Sequence, residues 1–183
     1  ADRLARMLAE RLEARWKQPV VVENRPGGGV VIGTQAVVRA PADGHTLGLL
    51  GSSLSINAVQ RKDLPYEIKD LQPLARVGYY TMGLVAAGNF PASDVGGLIA
   101  LAKGKPGSLN YGSYGVRTDA HLSMEDFKQR TGTDIVHVPY RGAAPAATGL
   151  LAGDVSMLLL NLSSIEAHEK TGKVRILAAA GEK

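Results

Sequence analysis

Residues Asn110 to Leu122 read Asn-Tyr-Gly-Ser-Tyr-Gly-Val-Arg-Thr-Asp-Ala-His-Leu, and this stretch decides the fold. A short strand pattern leads into a loop of glycine and serine, and the loop leads directly into an amphipathic helix. Gly112 and Gly115 allow the backbone to turn tightly and to approach a ligand closely. A strand, a loop and a helix joined in this way form the repeating unit of α/β folds.

The start of this helix is a candidate anion site. Thr118 or Asp119 is a natural N-cap, so we expect the first free amides of the helix to lie beside Ser113 and Thr118. Free amides and the positive end of the helix dipole suit a carboxylate or a phosphate. An ordinary strand-to-helix loop has the same pattern, so the anion site needs support from the rest of the chain.

The alternation of strands and helices extends in both directions from this stretch. Helices are predicted at residues 3–16, 30–39, 93–103, 119–130, 145–151 and 163–170. Strands are predicted at residues 20–22, 46–50, 77–87, 109–112, 135–138, 155–160 and 174–179. This order of elements predicts an α/β fold with mostly parallel sheets.

A less regular segment near residues 61–90 separates two groups of alternating elements. We interpret it as the crossing between two α/β lobes. The first lobe is predicted to comprise residues 1–86, to which residues 176–183 return, and the second lobe residues 87–175.

Ligands of open α/β sheets bind beyond the carboxyl ends of the strands. That rule selects four loops rich in small polar residues: Gly51–Ser55, Gly112–Thr118, Pro139–Ala143 and Asn161–Ser164. Arg117 and Arg141 lie in two of these loops, and each can either bind a carboxylate through two hydrogen bonds or be a solvated surface side chain. The loops predict a small polar ligand, and the arginines suggest a second anionic group on it.

The composition argues against several classes of function. Hydrophobic residues make up 45% of the chain and charged residues 21%, and the net charge is only +4. Aromatic residues are few and like charges form no long run, so we do not expect nucleic-acid binding. No apolar stretch approaches the length of about 18 residues that spans a membrane. Cysteine is absent, which excludes disulfides and thiolate sites.

Motifs for cofactors and catalysis are incomplete. The glycine run from Gly27 would need a glycine at position 32 to match the dinucleotide pattern, and Ile32 stands there instead. A nucleophile elbow around Ser113 would need a glycine where Tyr111 stands. The four histidines lack the spacing of a zinc site. We therefore expect no cofactor and no metal, and an α/β hydrolase that uses Ser113 and His121 is an alternative.

Several segments have the order and spacing of a known family across essentially the whole chain. They are Val20–Gly29 (VVVENRPGGG), Ala40–Leu47 (APADGHTL), Asp63–Tyr66 (DLPY), Leu98–Ser113 (LIALAKGKPGSLNYGS), His121-Leu122 and Asp134–Pro145 (DIVHVPYRGAAP). In these segments the chain resembles the periplasmic solute-binding receptors of tripartite tricarboxylate transporters, the Bug family.

The resemblance implies a two-lobed periplasmic-binding-protein (Venus-flytrap) architecture that closes on a small carboxylate. The ligand would be a dicarboxylate, an amino acid or an aromatic acid. It implies a monomeric periplasmic receptor that is not an enzyme and that delivers its ligand to membrane permease subunits. A ligand-sensing receptor of a two-component system would have the same sequence features and is an alternative.

The resemblance also assigns roles to residues. Gly112, Ser113, Gly115 and Thr118 match the family's carboxylate-binding loop, and the loop around Ser52 and Ser53 is the matching candidate in the first lobe. The full set of expected ligand-binding residues is Ser52, Ser53, Gly112, Ser113, Gly115, Arg117, Thr118, His121, Tyr140, Arg141 and Asn161.

The chain departs from the family at two kinds of position. Tyr114 and Arg117 stand where family members usually carry small residues, which predicts a change in the acid that is accepted. The family's first strand and its ligand-contacting loop would lie before Ala1, and a returning C-terminal segment would follow Lys183. The resemblance therefore implies an incomplete receptor.

Overall fold

The computed structural model describes residues 2–181 and divides into two compact units, Ala1–Gln72 and Pro73–Lys183. The boundary lies earlier in the chain than the lobe boundary expected after residue 86. The predicted lobes, including the return of residues 176–183, stay a prediction, and residues 182 and 183 lie outside the described part.

The first unit is helical. Helix α1 spans Asp2–Trp16, α2 spans Val31–Val38 and α3 spans Ser53–Gln60. The glycine run before α2 adopts positive φ at Gly27, Gly28 and Gly29 (119°, 60° and 64°), a conformation that residues with a Cβ avoid. The side-chain amide of Asn57 in α3 donates to the Gly29 carbonyl at 2.6 Å and ties α3 to this turn.

Two strands predicted in the first unit are wrong. Residues 20–22 and 46–50 form no strand, and no strand lies anywhere in the part of the first unit that the structure describes. Val21 is 87% exposed, so its β-branched side chain has nothing to pack against. A strand needs a partner for its backbone groups as well as a favourable sequence, and these segments find none among the described residues.

The predicted polar loop Gly51–Ser55 is also partly wrong, because helix α3 begins within it. Ser52 precedes the helix and Ser53 is its first residue, with the Ser53 side chain buried. Serine competes with the backbone for hydrogen bonds and therefore favours helix starts as readily as loops.

The second unit contains one five-stranded sheet in the order β3-β2-β4-β1-β5. The strands are β1 (Met82–Ala87), β2 (Leu109–Ser113), β3 (Ile135–Pro139), β4 (Met157–Asn161) and β5 (Val174–Ala180). Strand β2 pairs in parallel with β3 and β4, whereas β1 is antiparallel to both β4 and β5. Four strands therefore share one direction, and the sheet is mixed but mostly parallel.

Four helices accompany the sheet: α4 (Val95–Gly104), α5 (Asp119–Thr131), α6 (Ala143–Ala152) and α7 (Glu166–Lys170). Buried residues of β4 alternate between two hydrophobic clusters, with Met157 in one and Leu158 in the other. Side chains alternate along a strand, so both faces of the sheet are covered. Residues from α4 and α5 join the first cluster, and residues from α6 join the second.

The ends of the helices follow local chemistry. The Thr118 hydroxyl accepts a hydrogen bond from the His121 amide at 3.4 Å, which makes Thr118 the N-cap of α5. Gly132 and Gly153 end α5 and α6 in the left-handed conformation, with φ of 63° and 86°. Among residues 2–181, no helix has both the length and the apolar character needed to cross a bilayer.

Candidate functional site

The carboxyl ends of β2, β3 and β4 lie at one edge of the sheet of the second unit. Ser113 and Pro139 are register partners at the ends of β2 and β3, and the Tyr140 amide donates to the Ser113 carbonyl at 2.8 Å. Strand β4 lies on the other side of β2 and ends at Asn161. Three of the four loops selected from the sequence therefore start from neighbouring strands. We call this edge the ligand edge.

Ser113 shapes the loop that follows β2. Its side chain is buried, and its hydroxyl lies 2.7 Å from Nε2 of His137, 3.2 Å from the Gly115 amide and 3.1 Å from the Gly115 carbonyl. A hydroxyl has one proton and two lone pairs. All are used if Ser113 donates to the carbonyl and accepts from the amide and from a protonated Nε2. Ser113 then has no capacity left for a direct ligand contact.

Thr118 closes the other end of this loop. Its buried hydroxyl donates to the Gly115 carbonyl at 2.7 Å while it caps α5. The carbonyl of Gly115 thus accepts from the hydroxyls of both Ser113 and Thr118. These contacts give the segment Ser113–Thr118, which we call the ligand loop, a defined shape.

The amides at the start of α5 are less free than the sequence predicts. The Ala120 amide donates to Oδ1 of Asp119 at 2.9 Å, and the His121 amide donates to Thr118. The Asp119 carboxylate also accepts from the hydroxyls of Tyr114 and Tyr80, the latter at 2.7 Å. A carboxylate of the protein itself therefore lies at this helix N-terminus, where the dipole favours an anion.

A polar cluster lies behind the ligand loop. The His137 ring stacks on the Tyr111 ring with centroids 4.8 Å apart, and its centroid lies 4.3 Å from that of the His121 ring. The carboxylate of Glu125 accepts from the Tyr111 hydroxyl at 2.6 Å and from Lys128 at 2.8 Å. Except for His121, the sequence analysis missed this cluster. The spacing of His121 and Glu125, one helical turn apart, was the available signal.

Burial lowers the pKa values of the two histidines. Burial, the neighbouring His121 and the Lys128 cation lower the pKa of His137 to about 4, against the opposing effect of Glu125. Burial also lowers the pKa of His121. For Glu125, burial alone would raise the pKa, but hydrogen bonds from Lys128 and Tyr111 outweigh it and leave the pKa lowered.

Arg117 and Arg141 lie on loops of the ligand edge. Both side chains are exposed, and neither guanidinium forms an ion pair with any residue that the structure describes. The backbone of Arg117 has φ of 65°, which is uncommon for a residue with a Cβ. Its amide donates to Nδ1 of His121 at 3.3 Å. Two uncompensated cations are therefore available to an anionic ligand.

Tyr140 and Gly112 pack against each other. A Cβ at Gly112 would lie 2.5 Å from Cδ2 of Leu158 and 3.1 Å from Cε2 of Tyr140, and a Cβ at Gly149 would meet the Tyr140 hydroxyl. The Tyr140 ring thus lies over two glycines, one in β2 and one in α6. Gly112 is required here by close packing, a role that the sequence did not reveal.

Asn161 forms hydrogen bonds within its own loop, and the two serines of the first unit lie at the start of a helix. The side-chain oxygen of Asn161 accepts from the amide and the hydroxyl of Ser163, both at 3.0 Å. Ser52 and Ser53 lie at the start of α3 in the first unit. Their role as ligand contacts stays a prediction.

A separate shallow cavity of ≈ 320 Å³ lies at the end of β1, away from the ligand edge. Gly88, Leu150, Gly153, Gly172 and Lys173 are among its lining residues. None of the predicted ligand-binding residues lines it. Within residues 2–181, no group of histidine and acidic side chains is arranged to hold a metal ion.

Comparison with known proteins gives consistent matches. The family model described as "Tripartite tricarboxylate transporter family receptor" matches residues 4–183. Protein BugT of Bordetella pertussis is 38% identical over 97% of this chain and 55% of its own length. A solved periplasmic transporter is 38% identical with a TM-score of 0.94, covering 100% of this chain and 62% of that chain. Rpa4515 of R. palustris, solved with adipate, is 33% identical with a TM-score of 0.92, covering 100% and 62%.

The chain thus spans about half the length of BugT and about three fifths of each of these two structures. Its α/β fold, with a mostly parallel sheet, is that of periplasmic binding proteins such as the solved BugD, which is 28% identical with a TM-score of 0.87, covering 98% of this chain and 60% of that chain. The family and the fold are those of solute-binding receptors. On the match over residues 4–183, the chain belongs to the receptor family of tripartite tricarboxylate transporters.

Proposed function

We propose that this chain is part of a receptor for a small dicarboxylate and carries residues that bind it. One observation carries the proposal: Arg117 and Arg141, both without an ion-pair partner among the described residues, lie on loops that leave the adjacent strands β2 and β3. A guanidinium binds a carboxylate through two parallel hydrogen bonds. Two such groups at one edge suit a ligand with two carboxylates. The adipate bound by the related Rpa4515 supports this class of ligand.

The ligand loop contributes shape more than direct contacts. The hydroxyls of Ser113 and Thr118 donate hydrogen bonds to the Gly115 carbonyl, and these bonds hold the backbone that carries Arg117. Ser52 and Ser53 complete the proposed set from the first unit, together with Gly112, Gly115, His121, Tyr140, Arg141 and Asn161. In this proposal, the residues that hold the loop matter as much as those that contact the ligand.

The receptor has no catalytic role in this proposal. The contact between Ser113 and His137 could suggest a nucleophile and its base, but Ser113 is buried and its hydroxyl also contacts the amide and the carbonyl of Gly115. A nucleophilic serine needs an accessible oxygen and an adjacent oxyanion site. We propose instead that the protein acts as a monomer in the periplasm and delivers its ligand to membrane permease subunits.

Isothermal titration calorimetry with adipate and with hexanoate tests the ligand class. The two acids have the same chain length and differ by one carboxylate, so we expect adipate to bind at least about tenfold more tightly. Arg117→Gln and Arg141→Gln should each weaken adipate binding by about tenfold, and Arg130→Gln, which changes an exposed arginine paired with Asp126, serves as the control. A folded chain that binds no acid, or binds both equally, contradicts the proposal.

A further inference from the structure

We propose that His121 and His137 are a pair of positioning residues that hold the ligand loop in its binding shape, and that His121 does so only while its ring is uncharged. The inference rests on the proposed function, because it assigns a condition for ligand binding at the same loop. Neither histidine needs to contact the ligand for this role.

The two rings hold opposite ends of the ligand loop. His137, in β3, contacts the Ser113 hydroxyl through Nε2 at 2.7 Å, where the loop leaves β2. His121, in α5, accepts the Arg117 amide through Nδ1 at 3.3 Å, just before the loop enters the helix. The rings also face each other, with centroids 4.3 Å apart. The loop is therefore held by two side chains from different elements whose rings contact each other at a tilt of 38°.

The hydrogen-bond pattern determines which nitrogen of His121 accepts, and it indicates where the proton of His137 lies. The Arg117 amide is a donor, so Nδ1 of His121 must be unprotonated and its proton must be on Nε2. If the single proton of the Ser113 hydroxyl is donated to the Gly115 carbonyl, Nε2 of His137 carries a proton and donates it to Ser113. Protonation of His121 would put an N–H group against the Arg117 N–H group and break that contact. Protonation of both rings would also place two positive charges about 4 Å apart.

The loop needs such support at Arg117. A positive φ in a residue with a Cβ persists only when the surroundings enforce it, and the φ of Arg117 is 65°. The contact with His121 lies directly on the amide of this strained residue. Loss of the contact would allow Arg117 to relax to a common conformation and would move its guanidinium away from the ligand edge.

The groups that face the histidine pair come from β2 and α5. They are the Tyr111 phenol, the Glu125 carboxylate and the Lys128 ammonium. The negative charge of Glu125 opposes the lowering of both histidine pKa values, while the hydrogen bonds of its carboxylate go to Tyr111 and Lys128. Burial and Lys128 lower the pKa of both rings, which agrees with an uncharged pair at neutral pH.

Long-range ¹H–¹⁵N NMR of the 183-residue chain tests the proton positions without any ligand. At pH 7.5 we expect an unprotonated Nδ1 and a protonated Nε2 on His121, and a protonated Nε2 on His137. A proton on Nδ1 of His121, or a charged ring at this pH, overturns the proposal. This measurement uses the native chain, so it does not depend on a variant that folds.

Hydrogen exchange of the Arg117 amide tests whether His121 holds the ligand loop at this residue. Relative to an unstructured peptide at the same pH, we expect protection to fall by about tenfold, the size of one lost hydrogen bond, as the pH falls from 7 to 4. His121→Asn keeps an acceptor near the position of Nδ1 but cannot titrate, so protection should persist at both pH values. His121→Phe removes the acceptor, so the protection of the Arg117 amide should be lost at both pH values. Equal protection in the native chain and in His121→Phe overturns the proposal.

Calorimetry with adipate links the support to binding. Adipate itself takes up protons between pH 7 and pH 4.5, so both proteins lose affinity, and we expect the native chain to lose about tenfold more than His121→Asn. An equal loss in both proteins contradicts a role for His121. If the NMR and exchange results are as expected but adipate does not bind at any pH, the proposed function fails while the support of the loop stands.

Discussion

At the scale of single residues, the ligand edge is shaped by the missing side chain of Gly112 and by the hydrogen bonds of Ser113. Gly112 has no side chain, and Tyr140 and Leu158 pack against its Cα. The Ser113 hydroxyl contacts three groups of the protein, namely the amide and the carbonyl of Gly115 and Nε2 of His137. Both residues were expected to contact the ligand, and the structure gives each of them a role in shaping the loop that carries Arg117.

Gly112→Ala is predicted to reduce the free energy of unfolding by about 1–3 kcal/mol. The new methyl group would lie 2.5 Å from Cδ2 of Leu158 and 3.1 Å from the Tyr140 ring, so the end of β2 must shift or the two side chains must move. Urea denaturation measures the change. Gly104→Ala, at the end of α4 with no heavy atom within 4 Å of the new Cβ, is the matched control. Equal stability of the two variants would contradict the packing argument.

At the scale of elements, local patterns predicted the second unit better than the first. The predicted helix 119–130 and strand 109–112 agree with α5 and β2 to within a residue, because a threonine cap, a glycine stop and the positions of the apolar residues all mark them. Val20–Val22 has an equally good strand sequence, but no described segment pairs with it. Pairing between distant segments is a property of the fold that a local pattern does not contain.

The sequence predicted the candidate site in part, as it predicted the fold in part. Loops at the carboxyl ends of strands and the Thr118 cap follow from sequence rules. The contact between Tyr80 and Asp119 joins residues far apart in the chain, and His137 lies inside a strand with no motif around it. Such contacts depend on which strands are neighbours, so the sequence alone did not show them.

The pairing of α5 with β3 through His121 and His137 predicts a pH dependence of stability. The folded pKa of His137 is about 4, below its ordinary value of 6.5, so the folded state binds fewer protons than the unfolded state between these values. Its contribution is fully present above pH 6.5 and is lost as the pH falls towards 4. We expect a loss of about 1–2 kcal/mol, after allowance for the partial exposure of the ring.

Urea denaturation at several pH values between 7 and 4 measures this loss. His137→Gln removes the titrating ring and should flatten the dependence. His45→Gln, which replaces an exposed histidine of the first unit, is the control and should keep the native dependence. The assignment to His137 is contradicted if His137→Gln and the native chain lose stability in parallel.

At the scale of the whole molecule, the two units differ in how they are built. Within the described residues the first unit has helices and no strands, whereas the second has a five-stranded sheet covered on both faces. The ligand edge, with Arg117 and Arg141, lies entirely in the second unit. Most of the proposed ligand-binding residues are therefore held by the five-stranded sheet and its loops. Ser52 and Ser53 lie in the first unit, and their contact with a ligand stays a prediction.

Titration of ¹⁵N-labelled chain with adipate, followed by amide chemical shifts, tests the central claim most directly. The account predicts that the largest shifts occur at the ligand edge, in Gly115, Val116, Arg117 and Gly142, and that Arg117→Gln reduces them. The cavity at the end of β1 provides an internal comparison, because Gly88 and Gly172 line it. Shifts centred on Gly88 and Gly172, or no shifts at millimolar adipate in a folded chain, would contradict the claim.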